Sequence, residues 1–525
     1  MSPRGCLSMH QSGGVRRIGK TAGAAAQGTA VWWAGWLVAL VILGSFLRFH
    51  DVERNSLWAD ELFTVNVALH HPLVPESGQR WLRKTSVHDM REGDTFLSVK
   101  AGEQSPPLFD LLEKASVQAL GPTEFAARLP AALAACALLV WVAAHAWRAR
   151  GTWLGCVLAW SLLLLALHPG LILYAKEARA YSLGASLIGM GFVLWLQRWQ
   201  HGPARWVPPG WAEIALFLAA CYTHYNAAAL VALVLLPDAV LATRRRSRTA
   251  WVRLATLGVV FLVWVGINAR TILFTASGGV AWPRGSAAAY LESVARDVPN
   301  MLHVAWLAAA VGLAAFALVQ HRLRGDRSAQ HTGRWVLAIV GLVLAYAALA
   351  ALIAFKAGMG HPRYYIFAVP LAMVAIGIVC AQLQGRAVAV AAAALLVGLS
   401  QAKPLPGSPL QGHEDFRSIA QAAALAADKD TLFLYPWKPN RFLYRVYLDR
   451  YLQSDSGPRL VPVSQAAEAA EVCARLAKAS NVTVLAHASQ PDSINAVYAE
   501  CGQRWPQRER RSFAGTFVEH WRPAP

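Results

Sequence analysis

The chain has 525 residues, of which 56% are hydrophobic and only 15% charged, and its mean hydropathy is +0.35. So much apolar surface cannot be hidden in one soluble core, and it comes in blocks near the roughly 20 residues needed to cross a bilayer. A net charge of +19 does not make this a nucleic-acid binder, because its Arg clusters lie between the apolar blocks instead of on one soluble face.

In chain order, a basic tail over 1–30 carries Arg4, Arg16, Arg17 and Lys20 and precedes the first apolar block, 31–49. That block lacks a convincing small-residue cleavage site and holds three tryptophans, so it reads as a retained signal-anchor. Eleven helical spans are predicted, near 31–49, 131–147, 152–168, 180–197, 211–224, 226–243, 251–269, 301–320, 335–355, 364–382 and 386–400. Helices are required because lipid offers no partner to an open strand edge. The fifth and sixth form one apolar stretch broken at Tyr222–Asn226.

Basic residues mark alternate loops: Arg148 and Arg150, Arg198 and Arg205, Arg244–Arg253, Arg322–Arg334, and Arg386. Cytoplasmic loops are rich in Lys and Arg, so the N-terminus is expected inside. An odd number of spans then places the C-terminal region outside. Three segments face outward on this reading: 50–128, 169–179 and 356–363. In the first, Leu108, Leu111, Leu112, Ala115 and Ala119 share one helical face, the pattern of a helix lying along the membrane surface. From 401 to 525 the pattern changes to alternating helix and strand, which predicts a small α/β domain. Helices are expected at Phe416–Ala427 and Arg441–Leu452, and strands at Thr431–Tyr435, Val482–His487 and Ser512–His520. Among seven cysteines, Cys136, Cys156, Cys221 and Cys380 fall in or beside spans as packing residues. Cys473 and Cys501 are left in the C-terminal region, free to pair if it faces an oxidising compartment.

Candidate chemistry concentrates in the outward segments. Asp60 and Glu61 follow Trp58 just beyond the first span. A carboxylate in a partly desolvated pocket gains proton affinity and suits a base that takes a proton from an attacking hydroxyl. Spacing alone favours an interfacial anchor with solvated acids over a catalyst. Lys176, Glu177 and Arg179 sit between apolar runs, where charge belongs at a membrane surface. The two cations suit an anion such as phosphate, or Glu177 neutralises them internally. Arg363 gives another cation at the mouth of a span. His224 with Tyr225, and His70-His71, raise metal binding as an alternative, without a metal-ligand signature such as H-E-x-x-H.

Together, Trp58-Ala59-Asp60-Glu61, Ser105-Pro106-Pro107-Leu108-Phe109, Glu124-Phe125-Ala126-Ala127-Arg128-Leu129-Pro130, Lys176-Glu177-Ala178-Arg179-Ala180-Tyr181, Thr223-His224-Tyr225 and Arg363-Tyr364 resemble the GT-C membrane glycosyltransferases of family 39. That family includes protein O-mannosyltransferases and the aminoarabinose transferases acting on lipid A. The resemblance implies inverting sugar transfer from a polyprenyl-phosphate donor to a lipid, glycan or protein acceptor on the outer face of a plasma (inner) membrane, with a eukaryotic endoplasmic reticulum membrane as the alternative. It makes Asp60 the catalytic carboxylate with Glu61 beside it. Lys176, Arg179 and Arg363 become the donor-phosphate ligands, with Glu177, Tyr181, His224 and Tyr225 in support. Family members differ in metal dependence, so no cofactor is assigned and a divalent metal stays open. A lipid-linked substrate transporter or flippase is the competing reading, with Asp238 as its best residue; a non-catalytic membrane scaffold is a third.

Overall fold

The computed structural model describes residues 21–69, 95–101, 105–200, 202–269, 272–273, 292, 312, 327–357, 362–383, 415–436, 441–463, 465–487 and 492–523. The predicted spans at 301–320 and 386–400, and His70-His71, lie outside the described residues. The chain divides into two compact units, one of residues 1–50 and 131–403 and the other of residues 51–130 and 404–525.

The first unit is helical. Its elements are α1 (Thr21–Phe49), the part of the helix Glu124–Arg148 that follows Pro130, and then Trp153–Leu167, Pro169–Ala175, Ala180–Trp199, Trp211–Cys221, Tyr225–Arg244, Arg248–Ile267, Arg327–Ala357 and Val369–Leu383. With the second unit's α2 (Ala59–Leu69), α3 (Phe96–Ala101) and α4 (Leu108–Leu120), they are numbered in chain order, so that Glu124–Arg148 is α5 and Val369–Leu383 is α13. Among the described residues seven helices are long and apolar enough to cross a membrane, or eight if α6 (Trp153–Leu167) and α7 (Pro169–Ala175) form one bent span. The chain is a polytopic membrane protein.

The bend corrects one expectation. Residues 169–175, predicted as part of an outward loop, form a helix set at 59° to α6. Pro169 supplies the helix-compatible φ of a first turn, and His168 Nδ1 accepts from the Leu171 N–H at 3.3 Å, so a new helix starts where the old one stops. At the same place Arg48, fully buried near the end of α1, donates to the carbonyls of Leu165 (2.8 Å) and Ala166 (3.1 Å), which the break leaves without helical partners. Cys136, Cys221 and Cys380 are free thiols, whereas Cys156, expected as a plain packing residue, is disulfide-bonded.

Asp238 is also resolved. In α10 (Tyr225–Arg244) it is fully buried and accepts from Arg198 on both oxygens, at 2.5 and 3.0 Å, and from the indoles of Trp206 (2.6 Å), Trp195 (3.0 Å) and Trp199 (3.3 Å). Arg198 also forks onto Glu213, at 2.7 and 3.1 Å. A carboxylate this fully saturated ties helices together and has no oxygen to spare for a travelling ion.

The second unit joins the first long loop to the C-terminal domain. That domain continues with α14 (Phe416–Leu425), β1 (Leu432–Pro436), α15 (Arg441–Leu452), β2 (Leu460–Val463), α16 (Ala469–Leu476), β3 (Val482–His487), α17 (Asp492–Cys501), β4 (Gln507–Phe513) and β5 (Thr516–Arg522). The sheet runs β2-β1-β3-β5-β4, with β1 parallel to β2 and β3, and β5 antiparallel to β3 and β4. The single strand expected at Ser512–His520 is instead a hairpin, turned at Gly515, whose φ of +64° suits glycine. Leu434, Val461, Val484, Phe517 and Trp521 fill the core with Val472 and Val497 of α16 and α17. Cys473 and Cys501 are joined by a disulfide that links those two helices.

The α4 helix forms as predicted. Phe109, Asp110, Glu113 and Val117 face inward, while Leu111, Leu112 and Leu120 stay 41–51% exposed, leaving an apolar stripe on the outside. Such a stripe is what a helix along a lipid surface presents.

Candidate functional site

Asp60 and Glu61 both lie in the first turn of α2, yet they do different work. Glu61 is fully buried and its two oxygens are taken by Arg128, from Nε at 2.8 Å and Nη2 at 2.7 Å. One of them also accepts the Trp58 N–H at 3.2 Å. Trp58 is the residue before the helix and Glu61 its third position, so this is the acidic half of a capping box. Arg128 spends its remaining donors on the carbonyls of Val52 (2.7 Å), Asn55 (3.0 Å) and Ser56 (3.0 Å). A bidentate, fully desolvated pair of this kind fixes geometry. Asp60, one residue earlier, is half-buried, and its carbonyl accepts from Thr64 Oγ1 at 2.9 Å. The helix start thus holds one carboxylate half-buried in a turn that the other fixes.

A second buried carboxylate, Glu124, supports the same segment. It accepts from Tyr447 Oη (3.0 Å), Arg450 (3.0 Å) and Arg417 (3.1 Å). Tyr447 in turn accepts the Leu57 N–H at 2.8 Å. Burial first, and the Glu124 charge second, push the Tyr447 phenol far above its ordinary value, so it stays a donor. Nearby, Lys100 is buried in an ion pair with Asp110 at 2.9 Å and donates to Ser105 Oγ at 3.0 Å, which joins α3 to the Ser105-Pro106-Pro107 segment. Glu124 and Arg128 were visible in the sequence only as motif letters, and Lys100 and Tyr447 carried no signal at all.

In the first unit the structure gathers another group. Lys176 caps the end of α7, and Arg179, in an extended conformation, starts α8 (Ala180–Trp199). Both are half-buried, and Glu177 between them is buried. Tyr181, in the first turn of α8, meets the rings of Tyr174 (5.6 Å), His224 (5.5 Å), Tyr364 (6.4 Å) and Phe367 (6.3 Å). The Arg363 guanidinium lies 5.5 Å from the Tyr181 ring centre, within cation–π range. His224 stands in the turn outside both neighbouring helices, where its Nδ1 accepts the Asn226 N–H at 3.1 Å. Burial, then the charges of Arg179 and Arg363, push its imidazole down to about 3, so it is neutral. Gly184 makes the cluster compact: a Cβ there would come within 2.6 Å of the Phe367 ring and 2.7 Å of Thr223 Oγ1.

Thus Arg179, Tyr181, His224 and Arg363 are brought together, with Lys176 and Glu177 in the adjoining turn. Tyr225 is not part of the group; its hydroxyl donates to Asn268 Oδ1 at 2.7 Å. Two half-buried guanidiniums and an ammonium beside a wall of aromatic rings suit an anionic group carried by an apolar molecule. Among the described residues no cluster of three or more His, Cys, Asp or Glu is placed to hold a metal ion.

No protein-family model and no curated protein matches this sequence. Solved structures do. ArnT from Cupriavidus metallidurans bound to undecaprenyl phosphate superposes with a TM-score of 0.52 at 15% identity, over 93% of this chain and 98% of that one. The chain has a GT-C fold. Looser likenesses to GT-C proteins are the archaeal oligosaccharyltransferase AglB from Archaeoglobus fulgidus (TM-score 0.41, 11% identity, 93% of this chain and 74% of that one) and the mycobacterial arabinofuranosyltransferase AftD (TM-score 0.43, 14% identity, 94% of this chain and 40% of that one). The GT-C architecture predicted from the motifs is therefore present, as is the small C-terminal sheet domain.

Proposed function

We propose that this protein is an integral membrane glycosyltransferase that moves a sugar from a polyprenyl-phosphate donor to a lipid, glycan or protein acceptor at the extracytoplasmic face. The observation that carries the reading is the pairing at the start of α2: Asp60 half-buried in the first turn, and Glu61 next to it in sequence locked by Arg128. Catalysis needs a preorganised carboxylate, and a helix start fixed by a bidentate ion pair provides one. Asp60 takes the proton of the acceptor hydroxyl as its oxygen attacks the anomeric carbon from the face opposite the leaving group. The bond from that carbon to the phosphate oxygen breaks, configuration inverts, and polyprenyl phosphate leaves with the electron pair. Glu61 orients the site through Arg128.

Lys176, Arg179 and Arg363 hold the phosphate and stabilise its growing charge, Glu177 orients them, and Tyr181 and His224 line the donor's seat. His224 suits this role because, as a neutral ring, it adds no charge of its own. Undecaprenyl phosphate in the superposed ArnT structure supports a polyprenyl donor. The Cys473–Cys501 disulfide supports an oxidising, extracytoplasmic location for the C-terminal domain, and the Arg-rich loops support an inside N-terminus; the membrane is a plasma (inner) membrane on this reading. The transporter reading loses its best residue, since Asp238 is saturated by Arg198 and three indoles.

Purified protein in nanodiscs, given radiolabelled undecaprenyl-phosphate pentoses and hexoses with envelope extract, tests the proposal. Wild type is expected to label a lipid, glycan or protein acceptor. Lys176→Ala and Arg363→Ala are each expected to raise the donor KM by about tenfold or more, as removal of a charge-assisted contact does. An unchanged KM in both removes them from the donor site.

A further inference from the structure

The segment that delivers Asp60 has almost no regular structure of its own. Residues 51–58 are turns and extended chain, so their main-chain groups need partners from elsewhere. Side chains supply them one by one. Arg128 takes the carbonyls of Val52, Asn55 and Ser56. Arg417 takes those of Glu53 (3.0 Å) and Arg54 (2.7 Å), and its own N–H donates to Ser56 Oγ at 3.1 Å. The Tyr447 hydroxyl takes the Leu57 N–H. Arg417 and Tyr447 belong to α14 and α15 of the C-terminal domain, and both are aimed by Glu124, which Arg450 of the same domain completes. Glu124 also begins α5, only four residues before Arg128.

We propose that the C-terminal domain is a working part of the Asp60 site: Tyr447 and Arg417, aimed through Glu124, are positioning residues that set the backbone of residues 53–57 and so the placement of Asp60. This rests on the glycosyltransferase reading for its catalytic consequence, but the positioning itself does not. The domain adds geometry, while the general base remains Asp60. Because rate falls steeply with small displacements of a reacting group, cutting the Tyr447 link lowers turnover and leaves donor affinity alone. A domain that merely adds stability would act differently, since any equal loss of its stability would have the same effect.

The test uses full-length protein in nanodiscs and two readouts: deuterium uptake of the peptide covering residues 51–66, and kcat and donor KM with whichever radiolabelled undecaprenyl-phosphate sugar the wild type turns over. Tyr447→Phe is expected to speed exchange in that peptide and to lower kcat by about 10- to 100-fold, with donor KM within twofold. The Cys473→Ser, Cys501→Ser double variant weakens the same domain away from the network; it is expected to leave both readouts near wild type. If Tyr447→Phe does not fold, Arg417→Gln, at a partly exposed position, is measured in its place. Unchanged exchange in 51–66 overturns the proposal whether or not the protein transfers sugar. Faster exchange with unchanged kcat overturns its catalytic half. Failure of the wild type to turn over any donor sinks the functional reading, and the exchange result still decides the positioning.

Discussion

Two buried charge networks sit in different units of this molecule and are built from similar parts. Around Asp238, one Arg, one further carboxylate and three indoles close on each other, and both oxygens of Asp238 are taken. Around Glu61 and Glu124, three arginines and a tyrosine also satisfy buried carboxylates, but much of their hydrogen bonding goes to the backbone of residues 52–57. Desolvating charge is costly, so each network survives only by pairing nearly every lone pair. The difference lies in where the bonds go. The Asp238 network closes on side chains and locks helices; the Glu61 network closes on the main chain that leads into the half-buried Asp60. The first is a fastener, and the second sets a backbone.

The largest effect is expected at Asp60. Asp60→Asn is expected to lower transfer by about 10²–10⁴-fold while the melting temperature and the exchange of residues 51–66 stay at wild-type values; full transfer activity in that variant removes Asp60 from the mechanism. Arg128→Met strands Glu61 as an unpaired buried charge, with an expected loss of about 3–5 kcal/mol in thermal or denaturant unfolding, and activity falls with it. A near-neutral result would mean that the pair is not desolvated as described. The Cys473→Ser, Cys501→Ser variant, which opens a loop of sequence separation 28, is expected to lose about 3–4 kcal/mol in the C-terminal domain, seen as faster exchange in α16 and α17. Smallest is Asp238→Asn, expected to cost about 1–3 kcal/mol, since Arg198 keeps Glu213, with transfer per folded molecule unchanged. A selective loss of transfer there would turn the fastener into a functional site.

Much of this was legible in the sequence because the signals are local. Apolar block lengths gave the spans that the described residues contain but also one at 211–224, where the helix Trp211–Cys221 has 11 residues and falls short of a crossing; the stripe in 108–119 gave α4, and helix and strand patterns gave five elements of the C-terminal domain, one of them merged across the β4–β5 turn. The short strand β2 escaped because four buried residues carry no periodicity. The division of labour between Asp60 and Glu61 was not legible, since Glu61's partner lies 67 residues away. Tyr447 is further still, 390 residues from the N–H it accepts, and no local pattern distinguishes it from any other tyrosine on a helix. The likeness of the motifs to family 39 pointed to Asp60; only packing shows what holds it.

The unit that carries Asp60 is built from residues 51–130 and 404–525, with residues 131–403 made in between. Translation at about 5–20 residues per second leaves a gap of roughly 15–55 s in which the first loop exists without Arg417, Tyr447 and Arg450. During that interval Glu61 and Arg128 can already pair, but the backbone at Glu53, Arg54 and Leu57 lacks its later partners. A nascent chain truncated before Arg417 therefore lacks the later partners of its first loop, and a segment made late completes one made early.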